Sequence, residues 1–223
     1  MATSDPRAAD SAAIAPHHRL EPEDQARADF YALLARLYAE APDAALLRAI
    51  AAAPPLGVAA HNEGADVAAA SLPAAWDLLR AASAAMDADA ATDEYNNLFI
   101  GVGKSEINLH ASHWLTGFMM EKPLADVRAT LASLGLGRRA GVSLVEDHLA
   151  ALFETMRILI AGQDDRRPAL LAEQRALFER HILSWVFQCC GAMRDSAVAN
   201  YYRRVAQFTD CFMALERDSF AID

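Results

Sequence analysis

The feature that most constrains the fold of this chain is its recurrence of alanine- and leucine-rich sequence. Alanine, leucine, glutamate and arginine dominate the 223 residues, and these residue types favour helix. Apolar residues also recur at helical spacing, as in the run Phe30, Leu33, Leu34, Leu37 and Tyr38. Tracts of alternating β-branched residues, which would indicate strands, do not occur in the sequence. We therefore predict an all-α fold, organised as a single-domain multi-helix bundle.

The N-terminal end differs in composition from the rest of the chain. Residues 1–20 contain prolines and histidines but no continuous apolar run, so we predict a disordered tail rather than a secretory signal. Residues 21–223 are then assigned to one helical domain. No apolar stretch reaches the length of about 20 residues that a membrane span needs. The expectation is a cytoplasmic protein without stable membrane insertion.

Charge and cysteine content narrow the class of partner. The formal net charge of −10 argues against general nucleic-acid binding, which requires a basic surface, and it disfavours a helical transcription regulator. The same charge favours basic partners. Three cysteines are too few for a disulfide framework, and Cys189 and Cys190 are adjacent. Buried reduced thiols are therefore expected.

Prolines, glycines and capping residues predict where the helices begin and end. We expect a helix from Pro22 to about Pro42, a short helix from Ala44 to Ala53, and a loop from Leu56 to Gly64. Further helices are predicted from Pro73 to Met86, Ser112 to Glu121, Pro123 to Gly135, Ser143 to Gly162, from Pro168 onward, and from Ser196 to Glu216.

Two segments of unusual composition interrupt the sequence of predicted helices. The first spans residues 93–123 and is crowded with aromatics, glycines and histidines, and the second spans residues 143–148. Immediately before the first segment, residues 87–93 are predicted as a polar break, with Thr92 or Asp93 capping a short helix. Two such segments on a helical scaffold predict one recognition site assembled from separate parts of the chain.

The histidines of these segments raise the possibility of a metal site. His110 and His113 are three residues apart, and His148 is expected nearby. A di-metal helical bundle needs Glu-x-x-His pairs on facing helices, and the sequence has none. On a helix, Glu146, Asp147 and His148 would point in directions about 100° apart. A metal-dependent enzyme on a helical bundle is therefore kept only as the alternative function.

Other elements of these segments have simpler interpretations. The run Gly103-Lys104-Ser105 imitates a phosphate-binding loop but lacks the required upstream glycine and strand. Ser112 next to His113 does not form a nucleophile turn. Ser143 and Glu146 have the spacing of a capping box, which would place acidic residues in the first turn of a helix, where each stabilises the dipole by about 0.3–1 kcal/mol.

The two segments resemble motifs of the TorD/DmsD family, the cytoplasmic chaperones that mature molybdenum oxidoreductases. Residues 94–103, Glu-Tyr-Asn-Asn-Leu-Phe-Ile-Gly-Val-Gly, resemble the family's aromatic-x-x-Leu-Phe-x-Gly-x-Gly segment. Residues 145–148, Val-Glu-Asp-His, are similar to its Glu-Pro-x-Asp-His segment. Weaker similarities lie in the first helix, at 30–34, and in a late helix, at Gln174, Phe178, His181 and Trp185. The resemblance extends over residues 23–202.

The chain also departs from the family pattern. Many members have Gly-Pro-Gly where this chain has residues 101–103, Gly-Val-Gly. Many continue with Pro-Tyr-x-Ser where this chain has residues 109–112, Leu-His-Ala-Ser. The run at 115–123 is most similar to the branch associated with formate dehydrogenases. These differences affect the choice of client more than the family.

The resemblance implies a TorD-like helical chaperone that is not an enzyme and has no cofactor of its own. Its client would be the catalytic subunit of a molybdopterin oxidoreductase, such as a formate dehydrogenase or a DMSO/TMAO reductase-type enzyme. The chaperone would bind the twin-arginine signal peptide and the apo-subunit, assist cofactor insertion and prevent premature export. Some family members form dimers, so a homodimer is also an expectation.

Physical reasoning adds a location for the peptide. A signal peptide has a basic head and an apolar stretch, so its receptor needs an apolar wall with carboxylates at one end. Glu106 and the acidic residues of both segments are candidates to face the arginines. The predicted peptide-binding residues are Glu94, Tyr95, Leu98, Phe99, Gly101, Gly103, His110, Trp114, Glu146, Asp147 and His148.

Overall fold

The computed structural model describes residues 20–57, 71–101, 103–163 and 166–222. Within these ranges the chain forms ten α-helices and no strand, which confirms the predicted all-α fold. The helices are α1 Pro22–Ala39, α2 Ala44–Ala52, α3 Leu72–Ala85, α4 Ala88–Tyr95, α5 Ala111–Thr116, α6 Lys122–Ser133, α7 Leu149–Ala161, α8 Leu171–His181, α9 Val186–Asp195 and α10 Tyr201–Ile222. A short π-helical turn, Asn96–Ile100, continues α4. The predicted tail lies almost entirely outside the described residues, as does most of the predicted loop at 56–64.

The core forms where α1 packs along α7 and α10 packs against α3 and α9. Aromatic rings fill its centre: Tyr31 lies 4.9 Å from Phe212 and 5.7 Å from Phe153 between ring centroids. Such pairs add to the free energy gained by burying apolar area. Among the described residues, no helix combines the length and the apolar character needed to cross a membrane.

The predicted polar break at 87–93 is wrong, because these residues form most of α4. The carboxylate of Asp87 accepts hydrogen bonds from the backbone N–H groups of Asp89 and Ala90, at 2.9 and 3.2 Å. Asp87 is therefore the N-cap of α4. The predicted caps, Thr92 and Asp93, lie inside the helix instead.

The predicted start of α7 near Ser143 is also wrong. The helix begins at Leu149, and its N-cap is His148, whose Nδ1 accepts a hydrogen bond from the backbone N–H of Ala150 at 3.1 Å. Glu146 and Asp147 thus precede the helix, so the capping box and the first-turn dipole interpretation both fail for them. The predicted end at Gly162 is confirmed.

Helix α5 is shorter than predicted, ending at Thr116 rather than at Glu121. Gly117 follows it in the left-handed region, with φ of 83°, a conformation that favours glycine and commonly ends helices. The residues after it, Phe118 and Met119, therefore lie outside the helix that was predicted to contain them, and their side chains are exposed. Helices α8 and α10 also begin later than predicted, at Leu171 and Tyr201, and α10 ends at Ile222 rather than at Glu216.

Candidate functional site

The two segments singled out in the sequence meet through their backbones. His110 and His148 form an isolated antiparallel bridge. The N–H of Ala111 donates to the carbonyl of Asp147 at 3.0 Å, and the N–H of Leu149 donates to the carbonyl of Leu109 at 2.8 Å. We call this contact the junction, comprising residues 108–112 and 145–149. It joins the N-terminal end of α5 to the N-terminal end of α7.

Asp147 fixes the junction from within. Its carboxylate accepts hydrogen bonds from both the N–H and the hydroxyl of Ser112, at 3.0 and 2.5 Å. Asp147 is 1% exposed and Ser112 is fully buried. A buried carboxylate is tolerated when its oxygens accept such bonds. Asp147 therefore positions α5 rather than presenting a free charge to solvent.

The two histidine rings of the junction stack edge to face. The ring centroids of His110 and His148 are 4.8 Å apart, with an interplanar angle of 84°. Burial lowers the pKa of His148 to about 3, with a further lowering by His110. Burial also lowers the pKa of His110, although the nearby Asp147 opposes that shift. Both rings are accordingly neutral at neutral pH.

His148 should make the protein sensitive to acid. Because its pKa is lowered to about 3 on folding, the unfolded chain binds the extra proton first, and stability falls as the pH drops below about 6.5. At pH 5 the loss is about 2 kcal/mol, from about 1.36 kcal/mol per pH unit. We expect His148→Asn, which retains a capping side chain, to reduce this loss.

Denaturant unfolding of both proteins between pH 7.5 and pH 5 measures the difference. His181 is a useful control because burial lowers its pKa to about 4 and it lies away from the junction, bonded to Thr130 at 2.8 Å. It titrates in wild type and variant alike. Parallel stability curves for wild type and His148→Asn would contradict the assignment to His148.

Glu146 lies at the edge of the junction and is already paired. Its carboxylate accepts a hydrogen bond from Arg128 at 3.0 Å and lies 3.7 Å from Arg138. Burial alone would raise the pKa of Glu146, but the hydrogen bond from Arg128 and the charges of both arginines lower it below its ordinary value. Its side chain is only 13% exposed.

The other predicted carboxylate, Glu94, holds a different part of the fold. Its two oxygens accept hydrogen bonds from the backbone N–H groups that start α10, those of Asn200, Tyr201 and Tyr202, at 2.8, 3.0 and 2.8 Å. These N–H groups have no partner within their own helix. Glu94 is thus a helix cap supplied from a distant part of the sequence. Glu106 is likewise engaged, accepting from the hydroxyl of Ser196.

Tyr95, Leu98 and Phe99 of the first segment pack into or against the core, and the two glycines that follow them shape the turn. The hydroxyl of Tyr95 donates to the carbonyl of Ala39 at 3.0 Å, Leu98 is fully buried, and Phe99 packs partly buried against that core. Gly101 has φ of 65°, and a Cβ there would lie 2.2 Å from the carbonyl oxygen of Lys104. Gly103 also has a positive φ, of 91°. The motif therefore has a clear folding role.

The loop between the glycines and the junction returns the chain to this core. Ile107 donates its N–H to the carbonyl of Leu98 at 2.8 Å. The indole N–H of Trp114 donates to the carbonyl of Asn108 at 2.7 Å. The structure consequently gathers His110, Trp114 and the 146–148 turn around the junction, while residues 94–103 form the support behind it.

A run of exposed apolar side chains begins in the last turn of α5 and continues beyond its end. We call Leu115–Met120 the apolar loop; its large side chains are 45% exposed at Leu115, 70% at Phe118, 41% at Met119 and 71% at Met120. Met120 has a positive φ of 61°, unusual for a residue with a side chain. Exposed apolar side chains that cluster in this way indicate an interaction surface.

The apolar loop is attached to the junction by polar contacts. The hydroxyl of Thr116 donates to the carbonyl of Ser112 at 2.8 Å and accepts from the N–H of Phe118 at 3.3 Å. The side-chain amide of Asn108 lies 3.2 Å from the sulfur of Met119. This surface was not predicted from the sequence, because the predicted helix from Ser112 to Glu121 runs through Gly117, the residue that could have revealed the turn.

A groove of about 700 Å³ lies on the other side of Glu146. Its walls come from α1, α7 and the segment between α6 and the junction, with small side chains such as Ala35 and Ala151. Four arginines line it against two carboxylates, Glu146 and Glu154: Arg36, Arg138, Arg139 and Arg166. This charge balance does not suit the basic head of a signal peptide.

The part of the chain that the structure describes contains no group of three or more histidine, cysteine, aspartate or glutamate residues that could hold a metal ion. The junction pairs His110 with Asn108, whose side-chain oxygen lies 3.0 Å from Nδ1, and uses His148 as a helix cap. The geometry of these histidines is that of a packed contact between two segments.

Comparison with models of protein families identifies a match. A family model described as nitrate reductase delta subunit matches residues 65–191, which is more than half of the 223 residues. The matched range contains the motif at 94–103, the apolar loop and the junction. A search of curated proteins finds no match.

Proposed function

Because the chain belongs to the nitrate reductase delta subunit family, a family of molybdoenzyme maturation chaperones, we propose that it binds the twin-arginine signal peptide of a molybdoenzyme catalytic subunit. It holds the apo-subunit in the cytoplasm until the molybdopterin cofactor is inserted, and so prevents premature export. The family is not catalytic. The client we propose is a molybdopterin oxidoreductase of the formate dehydrogenase or DMSO/TMAO reductase type.

The observation that carries this proposal is the apolar loop beside the junction. A signal peptide presents an apolar stretch of about 7–15 residues, and Phe118 and Met120 offer it large apolar side chains that are mostly exposed. Methionine side chains adapt to partners of different shape, which suits recognition of an apolar stretch rather than one fixed sequence. The junction beneath holds the loop in place through Ser112 and Asn108.

The expected affinity suits a chaperone that must release its client. Burying roughly 400 Å² of apolar surface would contribute about 10 kcal/mol. Ordering a flexible peptide and the loss of its free motion offset much of this gain. A dissociation constant near 1 μM corresponds to about −8 kcal/mol, so binding in the micromolar range or somewhat tighter follows.

The predicted peptide-binding residues take two roles in this proposal. His110, Glu146, Asp147 and His148 belong to the junction next to the peptide, and Trp114 is hydrogen-bonded to it through Asn108. The second group supports the junction from the segment behind it and consists of Glu94, Tyr95, Leu98, Phe99, Gly101 and Gly103. Variants of the second group should affect folding before they affect affinity.

Substitution within the apolar loop tests the proposal. We expect the double variant Phe118→Gln, Met120→Gln to bind a synthetic leader of a molybdoenzyme catalytic subunit at least about tenfold more weakly, a change of about 1.4 kcal/mol. The side chains are exposed, so their loss removes contact area without opening the core. Isothermal titration calorimetry gives the dissociation constants.

Leu215→Gln is the matched control because Leu215 is also exposed, at 51%, but lies on α10. It should bind the leader as tightly as the wild type. Equal affinity of the double variant and the control would remove the apolar loop from the binding surface. Failure of the wild type to bind any twin-arginine leader would overturn the proposed function itself.

A further inference from the structure

A second cavity, of about 600 Å³, lies where three helix ends meet. The start of α1, the start of α8 and the end of α10 enclose it, and Gln174, Asp24 and Phe220 are among its lining residues. The volume falls within the range of about 300–1,000 Å³ typical of ligand sites. The cavity is separate from the apolar loop and from the groove lined by arginines.

Gln174 brings an unused hydrogen-bond acceptor to this cavity. Its side chain is 5% exposed, and its Nε2 donates to the carbonyl of Ala169 at 3.2 Å. Because that neighbour is an acceptor, the amide nitrogen must face it, which fixes the orientation of the amide. Oε1 is buried and has no hydrogen-bond partner among the described residues. Buried acceptors are normally satisfied, so this one indicates a missing donor.

The charges around the cavity favour a cation. Glu21 and Asp24 contribute carboxylates from the start of α1. Arg27 lies between Asp24 and the buried Glu216, with nitrogen to oxygen distances of 2.8 and 2.7 Å. Two carboxylates thus pair with the one guanidinium, and Glu21 adds a third carboxylate to the lining of the cavity. The end of α10, at Ser219, adds the negative end of a helix dipole.

Apolar side chains line the rest of the cavity. Pro168 and Leu171 form one wall, and the ring of Phe220 forms another. The guanidinium carbon of Arg27 already lies 5.4 Å from the centroid of that ring, which shows that the ring accepts a cation at close range. An apolar wall beside acceptors fits a side chain with an aliphatic stem and a charged end.

We propose that this cavity binds the guanidinium group of an arginine side chain supplied by a ligand. A guanidinium has five N–H donors and no acceptor, which complements Oε1 of Gln174 together with the carboxylates of Asp24 and Glu21. A water molecule alone would satisfy Oε1 but would leave the excess of carboxylates unbalanced. The source we assign is the arginine pair of the client's leader, and this assignment rests on the proposed function.

One leader can reach both surfaces. A compact domain of this length has an expected radius of gyration of about 17 Å. An extended peptide of about 25 residues spans up to roughly 80 Å. The arginine pair precedes the apolar stretch of such a leader, so its head can enter the cavity while its apolar part contacts the apolar loop.

Titration with a minimal ligand tests the cavity directly. In NMR spectra of the full chain, N-acetyl-arginine amide should shift the side-chain amide signal of Gln174 and the backbone signals of Ser219 and Phe220. N-acetyl-citrulline amide, which has nearly the same shape but no charge, should leave these signals in place. Shifts that are equal for both compounds, or that are absent from these residues with arginine, would overturn the proposal.

Leader affinity separates this proposal from the proposed function. We expect Gln174→Met, which removes the acceptor at similar side-chain size, and Asp24→Asn each to weaken leader binding about tenfold. Glu23→Gln is the matched control, because it removes the same charge from the same turn of α1 and does not line the cavity. It should stay within about twofold of the wild type.

The outcomes divide the two ideas. If the leader binds the wild type and both cavity variants equally well, the arginine site fails while the leader-binding function stands. If the leader does not bind the wild type but N-acetyl-arginine amide still shifts the cavity signals, the arginine site stands and its source is another ligand. Thermal unfolding of each variant verifies folding, and Asp24→Asn, at a part-exposed position, keeps the test valid if Gln174→Met does not fold.

Discussion

Replacing Glu94 with alanine should lower the free energy of unfolding by roughly 2–6 kcal/mol, since it leaves two buried N–H groups without a partner at a cost of about 1–3 kcal/mol each. The carboxylate accepts from the N–H groups of Asn200, Tyr201 and Tyr202. The last two residues are buried, so their N–H groups cannot turn to water when the carboxylate is lost. The start of α10, the longest helix, would lose its cap.

Urea unfolding followed by circular dichroism measures this loss. Glu94→Gln should be intermediate, because its one carbonyl oxygen still accepts but the charge is gone. Asp93→Ala is the control: the neighbouring residue is exposed and should change stability by less than about 0.5 kcal/mol. Unaltered stability of Glu94→Ala combined with weaker leader binding would instead return Glu94 to the peptide site.

The Glu94 cap illustrates what the sequence can and cannot reveal. Local signals predicted most helix boundaries: Pro22 begins α1 and Gly162 ends α7 because these residues act on their own backbone. A cap from Glu94 to residues more than a hundred positions later follows no local rule. Its carboxylate was therefore interpreted as a candidate ligand for arginine, whereas the structure satisfies it with backbone N–H groups.

The contrast between local signals and contacts from distant residues also explains why the segment at 143–148 was predicted wrongly. Its spacing of Ser143 and Glu146 is typical of a helix start, yet α7 starts at Leu149. The reason is a tertiary contact, because the backbone bridge between His110 and His148 keeps His148 in an extended conformation. Local helix propensity is a weak preference that such contacts override. The sequence did predict that the two segments contribute to one place, since both were unusual for a helical chain.

Candidate surfaces were harder to predict than the helices. The apolar loop falls inside the helix predicted from Ser112 to Glu121, so the sequence did not separately indicate an exposed surface there. Gly117 was the local signal against it, through its left-handed φ of 83°. The cavity at Gln174 had no signal in the sequence, since its lining residues come from both ends and the middle of the chain.

Asp147 should be the second position where substitution has a large effect. We expect Asp147→Ala to lower the free energy of unfolding by roughly 2–4 kcal/mol, because it removes a charged acceptor from the buried N–H and hydroxyl of Ser112. The backbone bonds between the two segments remain in place, so the fold should persist with a loosened junction.

A double-mutant cycle with Ser112→Ala isolates the side-chain part of this interaction. If Asp147 acts through Ser112, the two losses of stability should be strongly non-additive, while Asp147→Asn keeps one acceptor and loses less.

Leader binding then distinguishes a positioning role of Asp147 from direct contact with the peptide. If Asp147 only positions the loop, Asp147→Ala should bind the leader more weakly than the wild type, because the loosened junction displaces Phe118 and Met120. Adding a variant of the apolar loop to Asp147→Ala should then weaken binding by less than the sum of the two single effects. Full additivity with Phe118→Gln would mean that Asp147 contacts the peptide independently, and the carboxylate would then have to leave Ser112 to do so.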